Sequence, residues 1–234
     1  MKINAREKVI ILHGLGRSPR SMNKINRELD IVGYETLNIG YPSHFLTFEE
    51  ILKKLIQTIK PRVKESTQQD QTVHFVGHSF GGILIRGLLA NKNLWLPENS
   101  KSLTSSRCVM IGTPNKGTSI ANFMVSHFLL KHLTPKVSKE LALNSELLQK
   151  LPEPIIETGI IAGNKAFTPL VPVTWFYKKA SANAPGDGIV EISSTQCSVM
   201  SDFIVMPLHH SFMMWDSQLI KQSIHFLENG HFKH

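Results

Sequence analysis

Apolar residues are arranged along this chain in two alternating ways. Short unbroken runs such as "KVIIL" and "VHFV" give way to longer stretches in which apolar positions recur every third or fourth residue. A β-branched run of that length reads as a strand buried on both faces, and the longer spacing as a helix with one buried side. "KVIILHG" (8–14) is the first such run, and "SMNKINRELDIVG" (21–33) follows with Met22, Ile25, Leu29 and Val32 at helical spacing and Gly33 at its end. "YETLNIGYP" (34–42) returns to strand. In 47–63, Thr47 and Glu50 form a capping-box pattern ahead of a face made by Ile51, Leu52, Leu55, Ile56 and Ile59. Strand 73–77, helix 80–91 and strand 107–112 continue the series.

The rhythm breaks after "GTPNKGTS". Residues 118–150 hold two helical patterns interrupted at Thr134-Pro135, with Phe123, Met124, Phe128, Leu129 and Leu133 supplying apolar surface. Such a segment is either a lid over a cleft or a crossover helix packed on the sheet. "IIETGIIAG" (155–163) resumes the strands, 201–208 reads as the last of them, and 213–230 as a closing helix. Strand and helix in alternation mean βαβ units. The expectation is therefore an α/β protein with a mostly parallel sheet of about six strands and helices on both faces. It forms one domain over 1–234, with 118–150 as a candidate helical lid.

Composition narrows the class. With 234 residues, 41% hydrophobic and 19% charged, the chain can bury a sizeable core and is not a disordered sequence. No apolar stretch approaches the roughly 18 residues needed to cross a bilayer. "MKINAREKVIILHG" resembles neither a signal nor a transit peptide, which gives an expected cytoplasmic location. Cys108 and Cys197 are the two cysteines and are expected as reduced, buried thiols. The net charge of +8 is spread along the chain without a basic block, so nucleic acid is not an expected partner, while weak attraction to an anionic membrane surface is.

One stretch carries chemistry. In "VHFVGHSFGGILIRGLLA" (73–90), Ser79 stands between Gly77 and Gly81, where a buried run ends and a helix begins. G-x-S-x-G alone occurs by accident in roughly one chain in ten of this length. Its place between strand and helix raises its meaning, because a tight turn there lifts the hydroxyl clear of the sheet at the positive end of a helix. Side chains two residues before or after Ser79 would collide across the turn, and glycine removes them.

A serine hydroxyl needs a base, and the base needs an orienting carboxylate. Of the carboxylates between Ser79 and the histidine pair at 209–210, Asp187 in "NAPGDGIVEIS" lies in a turn-forming sequence after the 155–163 strand. Either histidine of "MPLHHSFMMW" could reach Ser79. His210 is preferred, because Ser211 and Phe212 make a short turn into the apolar start of the last helix, and His209 is then expected to shape the pocket. His74 and His78 are expected to pack, and His127 and His132 lack metal-ligand spacing. The backbone N–H groups of Phe80 and Leu15, the latter in "LHGLGRS", are the expected oxyanion donors. No metal and no cofactor is expected.

Taken together, "HGLG", "GHSFGG", "GTPNKGT", "DGIV" and "HSFMM" resemble the α/β-hydrolase superfamily, and within it the small bacterial lipases and serine carboxylesterases. The resemblance runs from about residue 8 to 228. It implies the α/β-hydrolase fold, Ser79 as nucleophile, Asp187 as acid, His210 as base, Leu15 and Phe80 as oxyanion donors, and a small-molecule or lipid ester as substrate. An acyl-thioesterase, phospholipase or acyltransferase would use the same triad, and a binding protein could use the same fold without chemistry. The segment 164–186 is longer than a minimal member needs. Its Trp175, Phe176 and Tyr177 are expected either to line an acyl pocket or to pack as an aromatic cluster.

Overall fold

The computed structural model describes residues 7–64, 72–97, 103–126 and 135–234. Six strands form one parallel sheet in the order β2-β1-β3-β4-β5-β6. They are β1 (Lys8–Leu12), β2 (Glu35–Ile39), β3 (Val73–His78), β4 (Arg107–Ile111), β5 (Glu157–Gly163) and β6 (Asp202–Met206). The expected sheet is thus present; five strands are trimmed by one to a few residues at their ends, and β3 runs one residue further, to His78.

Strand alternation divides the core into two layers. Ile10 and Leu12 of β1, Phe75 of β3 and Met110 of β4 face helices α2 (Phe48–Lys64) and α3 (Phe80–Ala90). Val9 and Ile11, Val76, Val109 and Ile161 face α1 (Asn23–Ile31) and the closing helix. Helix α2 begins with the capping box read from the sequence: the Thr47 N–H donates to Glu50 Oε2 at 2.8 Å and the Glu50 N–H to Thr47 Oγ1 at 3.4 Å. The Thr47 N–H and the Thr47 hydroxyl, both donating to Glu50 Oε2, hold the Glu50 carboxyl below its ordinary range. Helix α3 is buried on all sides from Phe80 to Leu89, because α2 lies across it.

The insertion departs from two long helices. Helix α4 (Ser119–Ser126) is followed, after residues that lie outside the description, by a 3-10 segment Lys136–Leu141 and the short α5 (Glu146–Lys150). Val137, Leu141 and Leu148 are buried in the α2–α3 layer, so the described part of 118–150 is anchored on the core while also walling the cavity described below. The expected helical surface of Phe128, Leu129 and Leu133, and both His127 and His132, fall outside the described residues. Helices α6 (Tyr177–Ala180) and α7 (Ile192–Thr195) are single turns in the β5–β6 connection. The closing helix α8 (Ser217–Asn229) begins later than expected. Met213–Trp215 form a 3-10 turn, and Asp216 Oδ1 accepts the N–H groups of Gln218 and Leu219, both at 2.9 Å, as its cap. Cys108 and Cys197 are both buried and unpaired. Among the described residues, no helix is long and apolar enough to cross a membrane.

Candidate active site

The parallel register sets the site's location. Leu12 lies beside Gly77, and His78 beside Ile111, so the loops after β1, β3 and β4 leave the sheet together at its carboxyl edge. The loops after β5 and β6 leave from the same edge, which brings residues far apart in the sequence to one rim.

Ser79 occupies the turn between β3 and α3 with φ 54° and ψ −122°, a left-handed conformation rare for a side chain of its kind. A Cβ on Gly77 would stand 2.7 Å from the Gly82 nitrogen, across the turn as the sequence suggests. A Cβ on Gly81 would instead stand 2.3 Å from the Leu12 carbonyl oxygen, so that glycine clears the end of β1 rather than its own turn. The Ser79 N–H is fixed by the Ile111 carbonyl at 2.8 Å, which ties the strained turn to β4.

Three side chains meet here. The Ser79 hydroxyl lies 3.0 Å from His210 Nε2, and His210 Nδ1 lies 2.7 Å from Asp187 Oδ2. Asp187 is fully buried, and its Oδ1 accepts the N–H groups of Ile189 at 3.1 Å and Val190 at 2.8 Å. Those two bonds leave Oδ2 aimed at the imidazole. With the proton on Nδ1 facing the carboxylate, Nε2 is an acceptor for the Ser79 hydroxyl. The His210 main chain is held at both ends, its N–H donating to the Asp187 carbonyl at 3.0 Å and its carbonyl lying 3.1 Å from His78 Nε2.

His209 takes a different direction. Its Nδ1 accepts the Ser211 N–H at 3.1 Å, and it is buried away from the cavity rather than shaping it, contrary to expectation. Burial holds its pKa below the ordinary histidine value. His78 packs as expected, tilted against the His210 ring with centroids 4.9 Å apart. Burial, and then the neighbouring His210, push its pKa well down, so it is a neutral spacer. His74 lies 3.2 Å from Glu7 Oε2 at the other end of β3.

Leu15 and Phe80 flank Ser79 from the β1 loop and from the first position of α3. A helix's first N–H groups have no partner inside the helix. Among the described residues the Leu15 N–H donates to no acceptor of the fold. Ser79 opens into a cavity of about 410 Å³ lined by Leu15, Arg17, Ile120, Met124, Leu141, Val190 and His210, among others. Neither Trp175 nor Phe176 lines the cavity. They are exposed, Phe176 stacking on Phe123 at 5.2 Å, whereas Tyr177 is buried and donates to the Ala184 carbonyl at 3.2 Å. Among the described residues no group of histidines, cysteines and carboxylates could hold a metal ion.

Three residues not singled out from the sequence also bear on the site. Gly112, with φ 56°, lies so close that a Cβ there would stand 3.1 Å from both Asp187 Oδ2 and His210 Nδ1. Arg86 is a buried guanidinium on α3 that donates to the carbonyls of Asn115, Leu151 and Pro152, tying the elbow helix to the β4 loop and to the end of the insertion. A charge inside the apolar run "GGILIRGLLA" was its visible signal. Arg17 lines the cavity and donates to the Ser211 carbonyl at 3.2 Å.

A parallel sheet crossed this way, with a strained serine after β3 and a histidine after the last strand, is the α/β-hydrolase fold. The comparisons with solved structures agree. The chain is similar to the lipase BlEst2 of Bacillus licheniformis in its mature form, with a TM-score of 0.70 at 17% identity over 95% of this chain and 90% of that one. The phospholipase PlaB of Legionella pneumophila, in complex with thio-NAD, gives 0.60 at 16% identity over 81% of this chain and 44% of that one. Tomato methylketone synthase I, complexed with 2-tridecanone, gives 0.52 at 12% identity over 98% and 100%. At these identities the likeness is one of fold. No protein-family model matches the sequence, and no curated protein is significantly similar to it.

Proposed function

We propose that this chain is a serine hydrolase that cleaves carboxylic esters through an acyl-enzyme. The observation that carries the reading is the hydrogen-bonded line Asp187–His210–Ser79, at 2.7 and 3.0 Å, ending on a strained serine that faces a cavity. Ser79 Oγ attacks the ester carbonyl while His210 Nε2 takes its proton, and the N–H groups of Leu15 and Phe80 stabilise the oxyanion. Asp187 stabilises the imidazolium without taking its proton. His210 then returns the proton to the departing alcohol oxygen, and water, deprotonated by the same histidine, releases the acid. No cofactor enters this scheme. The apolar wall of Ile120, Ala121, Met124, Leu141 and Val171 suits an acyl chain, and the lipase and phospholipase among the fold relatives support an ester over other substrates.

The test is hydrolysis of nitrophenyl esters from short to long acyl chains by the wild type and by Ser79→Ala. Turnover is expected in the first and a loss of at least about a thousandfold in the second. Full turnover by Ser79→Ala would overturn the reading. A phosphonate probe that fails to label Ser79 in the folded protein would favour a binding protein on the same fold.

The proposal extends to place. Two unpaired cysteines support a reducing compartment, the cytoplasm. Net positive charge, together with exposed Phe45, Leu170 and Trp175 near the cavity residues His44 and Val171, supports weak association with anionic membrane surfaces.

A further inference from the structure

The cavity wall has two chemistries. One side is the apolar surface already described. On the other, Arg17 stands beside Gly16 and Ser211, and among the described lining residues it is the one lysine or arginine, with no aspartate or glutamate on the wall. Elsewhere the partly or fully buried guanidiniums are compensated. Arg107 pairs with Glu157 at 2.7 Å, and Arg86 is taken up by main-chain carbonyls. Arg17 has neither arrangement. Among the described residues no carboxylate lies within ion-pair distance of it, and the single bond to Ser211 engages one N–H of a group that carries five. A half-buried cation with free donors at the wall of an otherwise apolar pocket is a place for an oxyanion.

The geometry also says which part of a substrate would meet it. On the ester-hydrolase reading above, on which this inference rests, His210 must deliver a proton to the departing alcohol oxygen. The alcohol part therefore lies along the 210–211 segment, and that is the segment Arg17 touches. The acyl chain takes the apolar wall on the other side.

We propose that Arg17 anchors an anion on the alcohol side of the site, so that the substrates are carboxylic esters whose alcohol part carries a carboxylate or phosphate. The guanidinium fork binds two oxygens of such a group and positions the ester carbonyl over Ser79.

Two matched pairs test this. The first is 3-octanoyloxy-4-nitrobenzoate against 2-nitrophenyl octanoate, which differ by one carboxylate on the leaving phenol. The second is a 1-acylglycerol 3-phosphate against the 1-acylglycerol with the same chain. The wild type is expected to prefer the anionic member in kcat/KM, and 0.5 M salt is expected to narrow the preference. Arg17→Gln is expected to lose about tenfold more on the anionic than on the neutral ester, chiefly in KM, which is the scale of one charge-assisted hydrogen bond. Arg17→Lys is expected to recover part of the preference. Lys165→Gln, an exposed charge nearby, is expected to leave it in place.

A preference in one pair only identifies the oxyanion. No preference in either pair overturns the subsite. So does an equal loss on both members in Arg17→Gln, which would reduce Arg17 to a brace for the Ser211 loop. If the wild type turns over none of the four esters and the phosphonate does not label Ser79, the hydrolase reading itself falls and the subsite with it.

Discussion

His209 and His210 are neighbours in a short loop and both are buried, yet they serve different partners. His210 joins Ser79 to Asp187, while His209 Nδ1 accepts the Ser211 N–H and supports the loop. The two variants should therefore separate. His210→Ala is expected to cost at least about a thousandfold in ester kcat/KM with the fold retained. His209→Ala should keep most of that activity but lose roughly 1–3 kcal/mol of stability, because a main-chain N–H is left without its acceptor. Steady-state kinetics beside thermal melts would check both, and near-normal turnover by His210→Ala would contradict the assignment. Sequence reaches this scale unevenly. Ser79 was legible because its meaning is local: strand, glycine, serine, glycine, helix. Asp187 was legible through its glycine neighbours. Arg17 and Gly112 were not, because what each touches, Ser211 and the Asp187–His210 pair, lies some 75 to 195 residues away in the chain.

Helix α3 shows how one element can organise a site. A helix buried all round gains little from amphipathic pattern, and its position is set by α2 on one side and by the polar bonds of Arg86 on the other. Those bonds reach the carbonyls of Asn115, Leu151 and Pro152, so α3, the β4 loop and the exit of the insertion share one guanidinium. Arg86→Met keeps the apolar stem but strands these carbonyls. About 3 kcal/mol of destabilisation is expected, a fall in Tm of roughly 6–12 °C for a chain of this size. An unchanged melting curve would show that the carbonyls find water or other partners. Strands and long helices were readable from periodicity because their partners lie one face away. The insertion was not. Its apolar residues serve both the core and the cavity, so the pattern predicted two helices where the described residues form one helix, a 3-10 segment and a short turn of helix.

At the scale of the whole molecule, titration and surface charge make separate predictions. His13 and His78 are buried, and burial lowers both their pKa values in the fold. An unfolded chain, with histidines near 6.5, takes up protons that the native state refuses. Their contribution is therefore fully present above pH 6.5 and is lost as the pH falls below it, with a limiting slope of about 1.4 kcal/mol per pH unit for each histidine. Urea midpoints measured from pH 8 to 5 should fall steeply below 6.5, and His13→Asn should remove about one proton from that slope; a flat profile would contradict the burial of both rings. Strand order was not readable from the sequence, since nothing local says that β1 sits between β2 and β3. It is nevertheless what brings His44, after β2, and Val171, after β5, to one cavity, and the exposed Phe45 and Leu170 adjoin them in the chain. The membrane association proposed above rests on these residues and on the net charge of +8: at an anionic lipid surface each nearby basic residue is worth about 1 kcal/mol and the attraction falls within a Debye length. The protein should sediment with phosphatidylserine vesicles at low salt, much less with neutral vesicles, and come off at about 0.5 M salt. Leu170→Asp and Trp175→Ala should weaken retention without changing turnover of a water-soluble ester. Binding that ignores lipid charge and salt, or no binding at all, would leave the exposed residues without a membrane role.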